Sequence, residues 1–271
     1  MRGVYINLAR SPGREAYMEE QSARLGLRLA RIEAVDGRAI PVAEYERLCP
    51  VPAEGKRIVP TELGCFLSHV AAWRDLVASG ARYGAVFEDD VCLAEDTSGF
   101  LEAEDWIPAD ADLVRLSSSA VRLRLRVEPA TQRNGRAVRR LLASTVDTGG
   151  YVIGAAYARR LLAQADRFEA PVDRVLLDPA RGAVLYQLDP SIAVQAKWAD
   201  FDFLSREEAR SQVQTGKPPR APQRFSLAVI PRELDAFRRK ILVPWLLPVL
   251  QIGRPRSERI SIAPVQFRRQ G

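Results

Sequence analysis

Three consecutive carboxylates, Glu88, Asp89 and Asp90, directly follow the apolar run Tyr83–Phe87. The run predicts a buried strand, and parallel sheets place ligand sites at the carboxyl ends of their strands. Side chains alternate along an extended chain, so Glu88 and Asp90 should face one way and Asp89 the other. Two carboxylates at this spacing can share a hard divalent cation, whose remaining ligands are commonly phosphate oxygens and water. The same pattern is also typical of a solvated acidic turn.

The N-terminal segments predict the kind of sheet that would carry these carboxylates. Val4–Leu8 is a buried-strand pattern, and Ser11 followed by Pro12 is a helix start. The helix is expected to end near Leu25, and Leu27–Val35 predicts a second strand. A strand, a helix and a strand within 35 residues indicate a βαβ unit, and therefore a parallel sheet with a right-handed crossover.

Further elements follow along the chain. Thr61 is expected to cap a helix reaching about Ala78, because apolar residues recur there at spacings of three and four. Residues 121–127 and 138–142 alternate apolar and basic side chains around Asn134-Gly135, which predicts a β-hairpin. The later predicted elements are a strand over 149–154, a helix over 155–165, a short helix from Pro171 and a strand over 184–188.

The chain changes character after about residue 204. We predict an α/β domain over 1–204, a linker over 205–230 that is polar with several prolines, and a basic and apolar tail over 231–271. The apolar segment 241–252 is shorter than the roughly 20 residues that span a bilayer. With arginines on both sides it could lie in a membrane interface, or it could pack against the core or a second subunit.

Several motifs in the same order resemble the family-25 glycosyltransferases, which are bacterial lipooligosaccharide glycosyltransferases and their collagen galactosyltransferase relatives. The resemblance covers roughly residues 4–37, 61–95 and 147–195. It rests on Tyr5 to Ser11, Ala34 to Gly37, Glu62 to His69 with Trp73, Glu88 to Val91, Gly149 to Ile153 and Pro171 to Asp173. It implies a GT-A-like fold with a mainly parallel central sheet, here with a C-terminal extension. It also implies inverting transfer of a sugar, often galactose from UDP-galactose, onto a lipopolysaccharide or lipooligosaccharide, with Mn²⁺ or Mg²⁺ bound.

The resemblance suggests which residues contact the sugar donor. Glu88 and Asp90 would hold the cation, with Asp89 beside them in the donor site. Asn7 and Arg10 end the first strand, where Arg10 could contact a phosphate or merely cover the helix start. Asp36 could accept hydrogen bonds from the ribose or the uracil, although Asp-Gly is also an ordinary turn.

His69 is the only histidine of the chain, and Cys65 and Ala72 lie on the same helix face. These small neighbours leave room for a ligand. A lone helical histidine is often structural, but the resemblance favours a hydrogen bond from His69 to the donor. Ser68 is predicted as its companion.

Inverting transfer needs a general base that takes a proton from the acceptor hydroxyl. Asp173 is the first candidate because it begins a short helix after the 149–154 strand, and Asp147 is the second. Asp173 could instead be an acid favoured by the helix dipole. Gly149 and Gly150 are predicted on the acceptor side, where glycine lets the backbone approach a sugar closely.

The charge is unevenly distributed. Residues 122–140 and 231–271 each carry +6, so the rest of the chain carries −6 within a total of +6. The two basic stretches could face an anionic acceptor or membrane, or they could be solvated arginines. The acidic body and the lack of interleaved aromatic and basic residues argue against nucleic acid as a partner.

The cysteines and the N-terminus bear on location. Cys49, Cys65 and Cys92 form no metal-type spacing, and no signal-peptide pattern precedes the first strand. We therefore expect a cytoplasmic protein, peripheral on the inner membrane if the tail binds lipid.

Two other functions compete with a transferase. A non-catalytic module that binds saccharide or nucleotide would not need the carboxylates. A glycoside hydrolase would use two carboxylates with water as the acceptor, and it would need no nucleotide.

Overall fold

A computed structural model describes residues 1–51, 57–119 and 121–199, together with Leu204 and the backbone of residues 257–260. The predicted linker and most of the tail lie outside these residues. None of the helices in this described part is both long and apolar enough to cross a membrane.

The fold is built around an eight-stranded mixed sheet with the order β2-β1-β3-β10-β5-β11-β9-β8. Its strands are β1 (Arg2–Asn7), β2 (Leu29–Glu33), β3 (Tyr83–Glu88), β5 (Leu113–Arg115), β8 (Thr131–Arg133), β9 (Arg136–Arg140), β10 (Gly150–Gly154) and β11 (Leu185–Asp189). Only β9 and β10 run against the other six, which follows from the parallel and antiparallel pairings along the sheet. The predicted α/β class is confirmed. Six of the eight strands share one direction, but only three of the seven neighbouring pairs are parallel, so the sheet is more mixed than predicted.

Helices cover the sheet, and a smaller sheet lies beside it. The helices are α1 (Pro12–Arg24), α2 (Val42–Leu48), α3 (Pro60–Ser79), α4 (Thr97–Leu101), α5 (Ala155–Leu162) and α6 (Val172–Leu176). The small sheet has the order β4-β12-β6, from β4 (Val91–Leu93), β12 (Ala193–Gln195) and β6 (Ser117–Ser118). The remaining strands are β7 (Leu123–Arg126) and β13 (Ser257–Ile260).

Both faces of the central sheet are buried. Val4, Ile6 and Val86 pack with α3 and α5 in one apolar cluster. Their neighbours Tyr5 and Phe87 belong to a second cluster on the opposite face. Strands buried on both faces read as continuous apolar runs, which is the pattern of Val4–Leu8 and Tyr83–Phe87.

The predicted βαβ unit is confirmed, since β1 and β2 are parallel neighbours. The next helix begins differently from the prediction. Val59 precedes its first residue, Pro60, and the Val59 backbone N–H donates to the Glu62 carboxylate at 3.0 Å. Pro60 occupies the first turn, where its missing N–H costs nothing. Thr61 is therefore inside the helix, and the prediction that it is the cap is wrong.

The hairpin prediction is half correct. Asn134-Gly135 does form the turn, with φ of 50° and 74°. However, the turn joins β8 to β9, whereas the alternating segment around β7 meets 138–142 through the single bridge Leu125–Leu141. The alternation of apolar residues reflects the buried face of β7 and does not identify its partner strand. The true partner of β9, the short polar strand β8, shows no such alternation.

Candidate functional site

A cavity of about 440 Å³ opens at the edge where β1, β2 and β3 end. Because β10 runs in the opposite direction, the loop that precedes it reaches the same edge. The cavity is lined by most of the predicted residues: Arg10, Asp36, Ser68, His69, Glu88, Asp89, Asp90, Asp147 and Asp173. Its volume is in the range of small-molecule sites.

Glu88 and Asp90 face the same side chain. The amide Nε2 of Gln195 donates to Glu88 Oε2 at 2.6 Å and to Asp90 Oδ1 at 2.9 Å. The Thr148 hydroxyl donates to the other oxygen of Glu88 at 2.5 Å. Asp89 turns away from Gln195, so the predicted alternation of the three carboxylates is confirmed.

The two carboxylates that share Gln195 differ in their pKa values. Burial and the neighbouring charge of Glu88 raise the pKa of Asp90 to about 7. Burial also works to raise the pKa of Glu88, but His69, Lys197 and the Thr148 hydroxyl together lower it to about 2. Two neighbouring buried carboxylates repel each other when both are charged, and this repulsion raises the pKa of one of them, here Asp90.

Asp89 is held by two buried residues. Asn7 Nδ2 donates to Asp89 Oδ2 at 2.8 Å, and Arg14 donates to Asp89 Oδ1 at 2.6 Å. The same guanidinium lies 3.7 Å from Asp90. Asn7 is fully buried, so it orients Asp89 from below the cavity. Burial raises the pKa of Asp89 although Arg14 opposes the shift.

Arg10 and Asp36 form an ion pair at the cavity, with 2.7 Å between Arg10 Nε and Asp36 Oδ2. Arg38 adds a backbone and side-chain hydrogen bonds to the same carboxylate. Burial works to raise the pKa of Asp36, but these two arginines outweigh it and lower the pKa to about 2. Asp36 is therefore a carboxylate whose orientation is set by its neighbours. Ser68 accepts a hydrogen bond from the Val35 backbone at 2.9 Å, which ties α3 to this loop.

His69 is buried and its orientation is set by Tyr151. The Tyr151 hydroxyl lies 2.8 Å from His69 Nδ1 and accepts a hydrogen bond from Trp73 Nε1 at 2.9 Å. Because Trp73 is only a donor, the hydroxyl proton is available to His69 Nδ1. With Nδ1 as the acceptor, the ring proton lies on Nε2, which faces Glu88 Oε1 at 3.7 Å.

Asp147 is buried, and its carboxylate is already paired with residues of the protein interior. Its carboxylate pairs with the fully buried Arg115 at 2.7 Å and accepts from the Gly149 backbone at 3.1 Å. Burial raises the pKa of Asp147 against the effect of Arg115, and burial lowers the pKa of Arg115. Asp147 also has a φ of 83°, which is unusual for a residue other than glycine. Both carboxylate oxygens are used in holding the loop before β10, a role that fits positioning better than proton removal.

Gly149 and Gly150 are buried beside the cavity, and packing explains both of them. A Cβ on Gly149 would lie 2.6 Å from Gln195 Cγ, and one on Gly150 would lie 3.0 Å from the Phe87 ring. The structure thus places side chains of this protein against them, and their acceptor-side role stays a prediction.

Asp173 is partly buried at the start of α6. Its Oδ1 accepts from the Arg174 backbone at 2.8 Å. Burial raises its pKa, and the charge of Glu88 adds to the shift. Asp173 and Glu88 therefore line one cavity closely enough for their charges to interact.

The cavity lining also includes residues that were not predicted, among them Arg14, Thr148, Gln195 and Lys197. A signal existed only for Arg14, which shares the buried face of α1 with Met18, Gln21 and Ser22. A basic residue on an otherwise inward face of a helix points to a buried acidic partner. The two carboxylates that Gln195 contacts lie 107 and 105 residues away, and no local pattern could reveal them.

The oxygen ligands at the end of β3 suit a small divalent cation. Glu88 and Asp90 supply hard oxygens that converge on one point, marked by the shared Gln195 nitrogen. No group of three or more His, Cys, Asp or Glu side chains in the described ranges could hold a metal ion. The two carboxylates alone fit a cation of the Mg²⁺ type, which usually takes one or two carboxylates together with phosphates and water.

Residues 1–176 match the sequence profile of a family described as glycosyltransferase family 25 (LPS biosynthesis protein). Lacto-N-neotetraose biosynthesis glycosyltransferase LgtB of Neisseria gonorrhoeae is 28% identical over 214 residues, which are 72% of this chain and 74% of that protein. Inactive glycosyltransferase 25 family member 3 of Homo sapiens is 28% identical over 232 residues, 76% of this chain and 38% of that protein. The crystal structure of galactosyltransferase LgtC with donor and acceptor sugar analogs has a TM-score of 0.36 and 12% identity, covering 65% of this chain and 69% of LgtC.

Proposed function

The chain belongs to glycosyltransferase family 25, and from this premise we propose that it moves a sugar from a nucleotide-diphosphate donor to a hydroxyl of a saccharide acceptor. The observation that carries the proposal is the convergence of Glu88 and Asp90 on one point inside a cavity at the carboxyl edge of the sheet. This is where α/β sheets bind nucleotides.

The donor is UDP-galactose or a related UDP-sugar. Its nucleoside would lie toward Asp36, whose low pKa keeps it charged and able to accept hydrogen bonds from ribose hydroxyls. The diphosphate would lie toward Glu88 and Asp90. A divalent cation, Mn²⁺ or Mg²⁺, held by these two carboxylates would supply positive charge to the departing diphosphate.

Residues of the chain itself complete the donor site. Lys197 is exposed at the cavity, where its charge acts on Glu88 and would also attract phosphate. His69 presents Nε2 as a donor beside Glu88 and would bind an oxygen of the donor. Arg14 and Asn7 hold Asp89 in place beneath them.

Asp173 acts as the general base. It takes the proton of the acceptor hydroxyl while that oxygen forms a bond to the anomeric carbon, and the bond from that carbon to the diphosphate breaks. The configuration at the carbon inverts in this single displacement. The raised pKa of Asp173 suits the task, because a base works best when its pKa is near the operating pH.

The acceptor is a saccharide of the lipopolysaccharide or lipooligosaccharide kind, anionic and lipid-linked. The relatives' role in lacto-N-neotetraose biosynthesis supports this choice of class. We further propose that the protein works in the cytoplasm, peripheral on the inner membrane, where it would meet a lipid-linked acceptor.

The test is a melting-temperature panel with UDP-galactose, UDP-glucose, UDP-N-acetylglucosamine and GDP-mannose, each with and without Mn²⁺. We expect a UDP-sugar to stabilise the protein by about 2.7 kcal/mol at 100 times its Kd, and only with Mn²⁺. Asp90→Asn should abolish this shift. The control is Glu95→Gln, which removes an exposed carboxylate from the same segment and should leave the shift intact.

Two results would reject parts of the proposal. A shift that does not depend on Mn²⁺ would reject the roles of Glu88 and Asp90. A protein that responds to no nucleotide sugar, and releases no UDP with a saccharide acceptor, would be a non-catalytic module, as the names of some relatives describe.

A further inference from the structure

The side-chain amide of Gln195 has a nitrogen with two hydrogen-bond partners and an oxygen with none among the described residues. The side chain is 2% exposed, and its nitrogen donates to both Glu88 and Asp90. Its oxygen is buried and finds no hydrogen-bond donor among the described residues. A buried amide oxygen without a partner is costly, so nothing among the described residues holds the amide in this orientation through its oxygen.

The backbone holds this amide at the carboxylates. Gln195 is the last residue of β12 and lies opposite Val91 in the small sheet. The next residue, Ala196, donates its backbone N–H to the Asp90 carbonyl at 2.8 Å. Gly149 leaves the space that Gln195 Cγ occupies, because a Cβ there would lie 2.6 Å away. The backbone contacts and the space left at Gly149 therefore place the end of this side chain at the two carboxylates.

A half-turn about the terminal bond of the Gln195 side chain exchanges the nitrogen and the oxygen without moving any other atom. The terminal torsion of glutamine is broad, so the rotation meets no strong rotamer barrier. After it, Gln195 Oε1 would stand where Nε2 now contacts Glu88 Oε2 and Asp90 Oδ1. Three oxygens would then converge, and amide oxygens are ligands that hard divalent cations accept.

We propose that Gln195 is the third protein ligand of the divalent cation, through Oε1. Without the cation its N–H groups hold the two carboxylates together, and with the cation its oxygen replaces them. The inference rests on the proposed function only in requiring that Glu88 and Asp90 bind a cation. The additional ligand is an amide and not an acid, and it lies far along the chain from the three consecutive carboxylates.

The test measures binding of MnCl2 alone to the full chain by calorimetry, with free Mn²⁺ counted by electron paramagnetic resonance. Gln195→Met keeps the length of the side chain and removes its oxygen. If Oε1 is a ligand, the Mn²⁺ Kd should rise about 10-fold or more. If Gln195 serves only as a donor that competes for the carboxylates, the Kd should stay the same or fall, and this result would overturn the proposal.

The control variant is Gln132→Met, which changes an exposed glutamine on β8 and should bind Mn²⁺ as the wild type does. A crystal of the wild type grown with Mn²⁺ decides the matter if Gln195→Met does not fold. The expected distance from Gln195 Oε1 to the ion is about 2.0–2.6 Å, and an ion outside its reach contradicts the proposal.

Failure of this inference is distinct from failure of the proposed function. A wild type that binds Mn²⁺ through Asp90 while Gln195→Met binds equally well refutes only the third ligand. A wild type that binds no Mn²⁺ refutes the cation site as a whole, and the UDP-sugar panel then shows whether transfer proceeds without it.

Discussion

The carboxyl group of Asp173 belongs to a helix of five residues, yet it lines the same cavity as the acidic end of β3. We expect Asp173→Asn to lower kcat by about 10²–10⁴, the usual contribution of a general base. KM for the UDP-sugar should change little, because the residue acts on the acceptor. Asp166→Asn, at an exposed position, is the control. A kcat that falls by less than tenfold would remove Asp173 from the mechanism.

The pH dependence follows from the same residue. Burial raises the pKa of Asp173 above the usual aspartate value of about 4. A base works only when ionised, so kcat/KM should fall as the pH drops through this raised pKa, and the acid limb should lie above the usual range. The profile is measured under kcat/KM conditions with the UDP-sugar, the acceptor and saturating Mn²⁺. Because Asp90 also has a raised pKa, the limb assigned to Asp173 is the one that Asp173→Asn removes. An acid limb at or below the usual aspartate value would contradict the assignment.

The hydroxyl of Tyr151 is expected to contribute both to stability and to donor binding. Tyr151→Phe removes the hydroxyl that lies between His69 Nδ1 and Trp73 Nε1, and both are buried. We expect the free energy of unfolding to fall by about 1–3 kcal/mol because two buried polar groups lose a partner. The affinity for the UDP-sugar should fall as well, since the His69 ring is no longer held.

The matched change is Tyr186→Phe, which removes a hydroxyl bonded to the exposed Asp110. Denaturant unfolding should show a smaller loss for it and no change in donor affinity. Equal effects of the two substitutions would mean that Tyr151 has no special role at His69.

Among the elements, α3 approaches the loop of Asp36 so closely that no side chain fits between them. A Cβ on Gly64 would lie 2.5 Å from the Gly37 nitrogen and 2.6 Å from the Val35 carbonyl oxygen. Both are backbone atoms and cannot turn aside. Gly64→Ala should therefore cost about 1–3 kcal/mol of unfolding free energy and weaken UDP-sugar binding by displacing Asp36.

Gly154→Ala tests whether the loss of unfolding free energy in Gly64→Ala comes from the close contact or from replacing any glycine by alanine. Its Cβ would meet nothing closer than 3.6 Å, and the backbone φ there is −73°. We expect a change within about 0.5 kcal/mol in the same denaturation experiment. If both substitutions cost the same, the close approach of α3 is not what constrains Gly64.

The sequence predicted elements well where the signal is local. The βαβ unit, the strand before the carboxylates and the turn at Asn134-Gly135 all follow from periodicity and turn chemistry. It missed the small sheet, because β12 and β6 are too short to show a pattern. The choice of β8 as the partner of β9 depends on burial that only the folded chain reveals.

At the scale of the whole molecule, the positive charge of the stretch over 122–140 is more fully neutralised by nearby carboxylates than its sequence suggests. Its arginines 133, 136, 139 and 140 form ion pairs with aspartates 105, 96, 189 and 110 in that order. Composition counts charges and cannot locate partners that come from other elements. The stretch over 122–140 is therefore a weaker candidate for contact with an anionic membrane than its charge count suggests.

Vesicle flotation tests that role of the tail. We expect the full chain to float with anionic vesicles, less with neutral ones, and less again at high salt. Leu246→Glu, in the apolar segment of the tail, should abolish flotation. Leu142→Glu, at an exposed position in the described part, should not. Equal flotation of Leu246→Glu and the wild type would favour packing of this segment on protein.

The reversed direction of β10 brings the start of that strand to the edge where β1, β2 and β3 finish. One ligand at that edge would consequently touch chain positions from Arg10 to Lys197. Fraying of a single segment would not release it, because its contacts come from several elements that lie far apart in the chain. Occupancy should thus slow amide hydrogen exchange in those strands whose amides exchange only by an opening that releases the ligand.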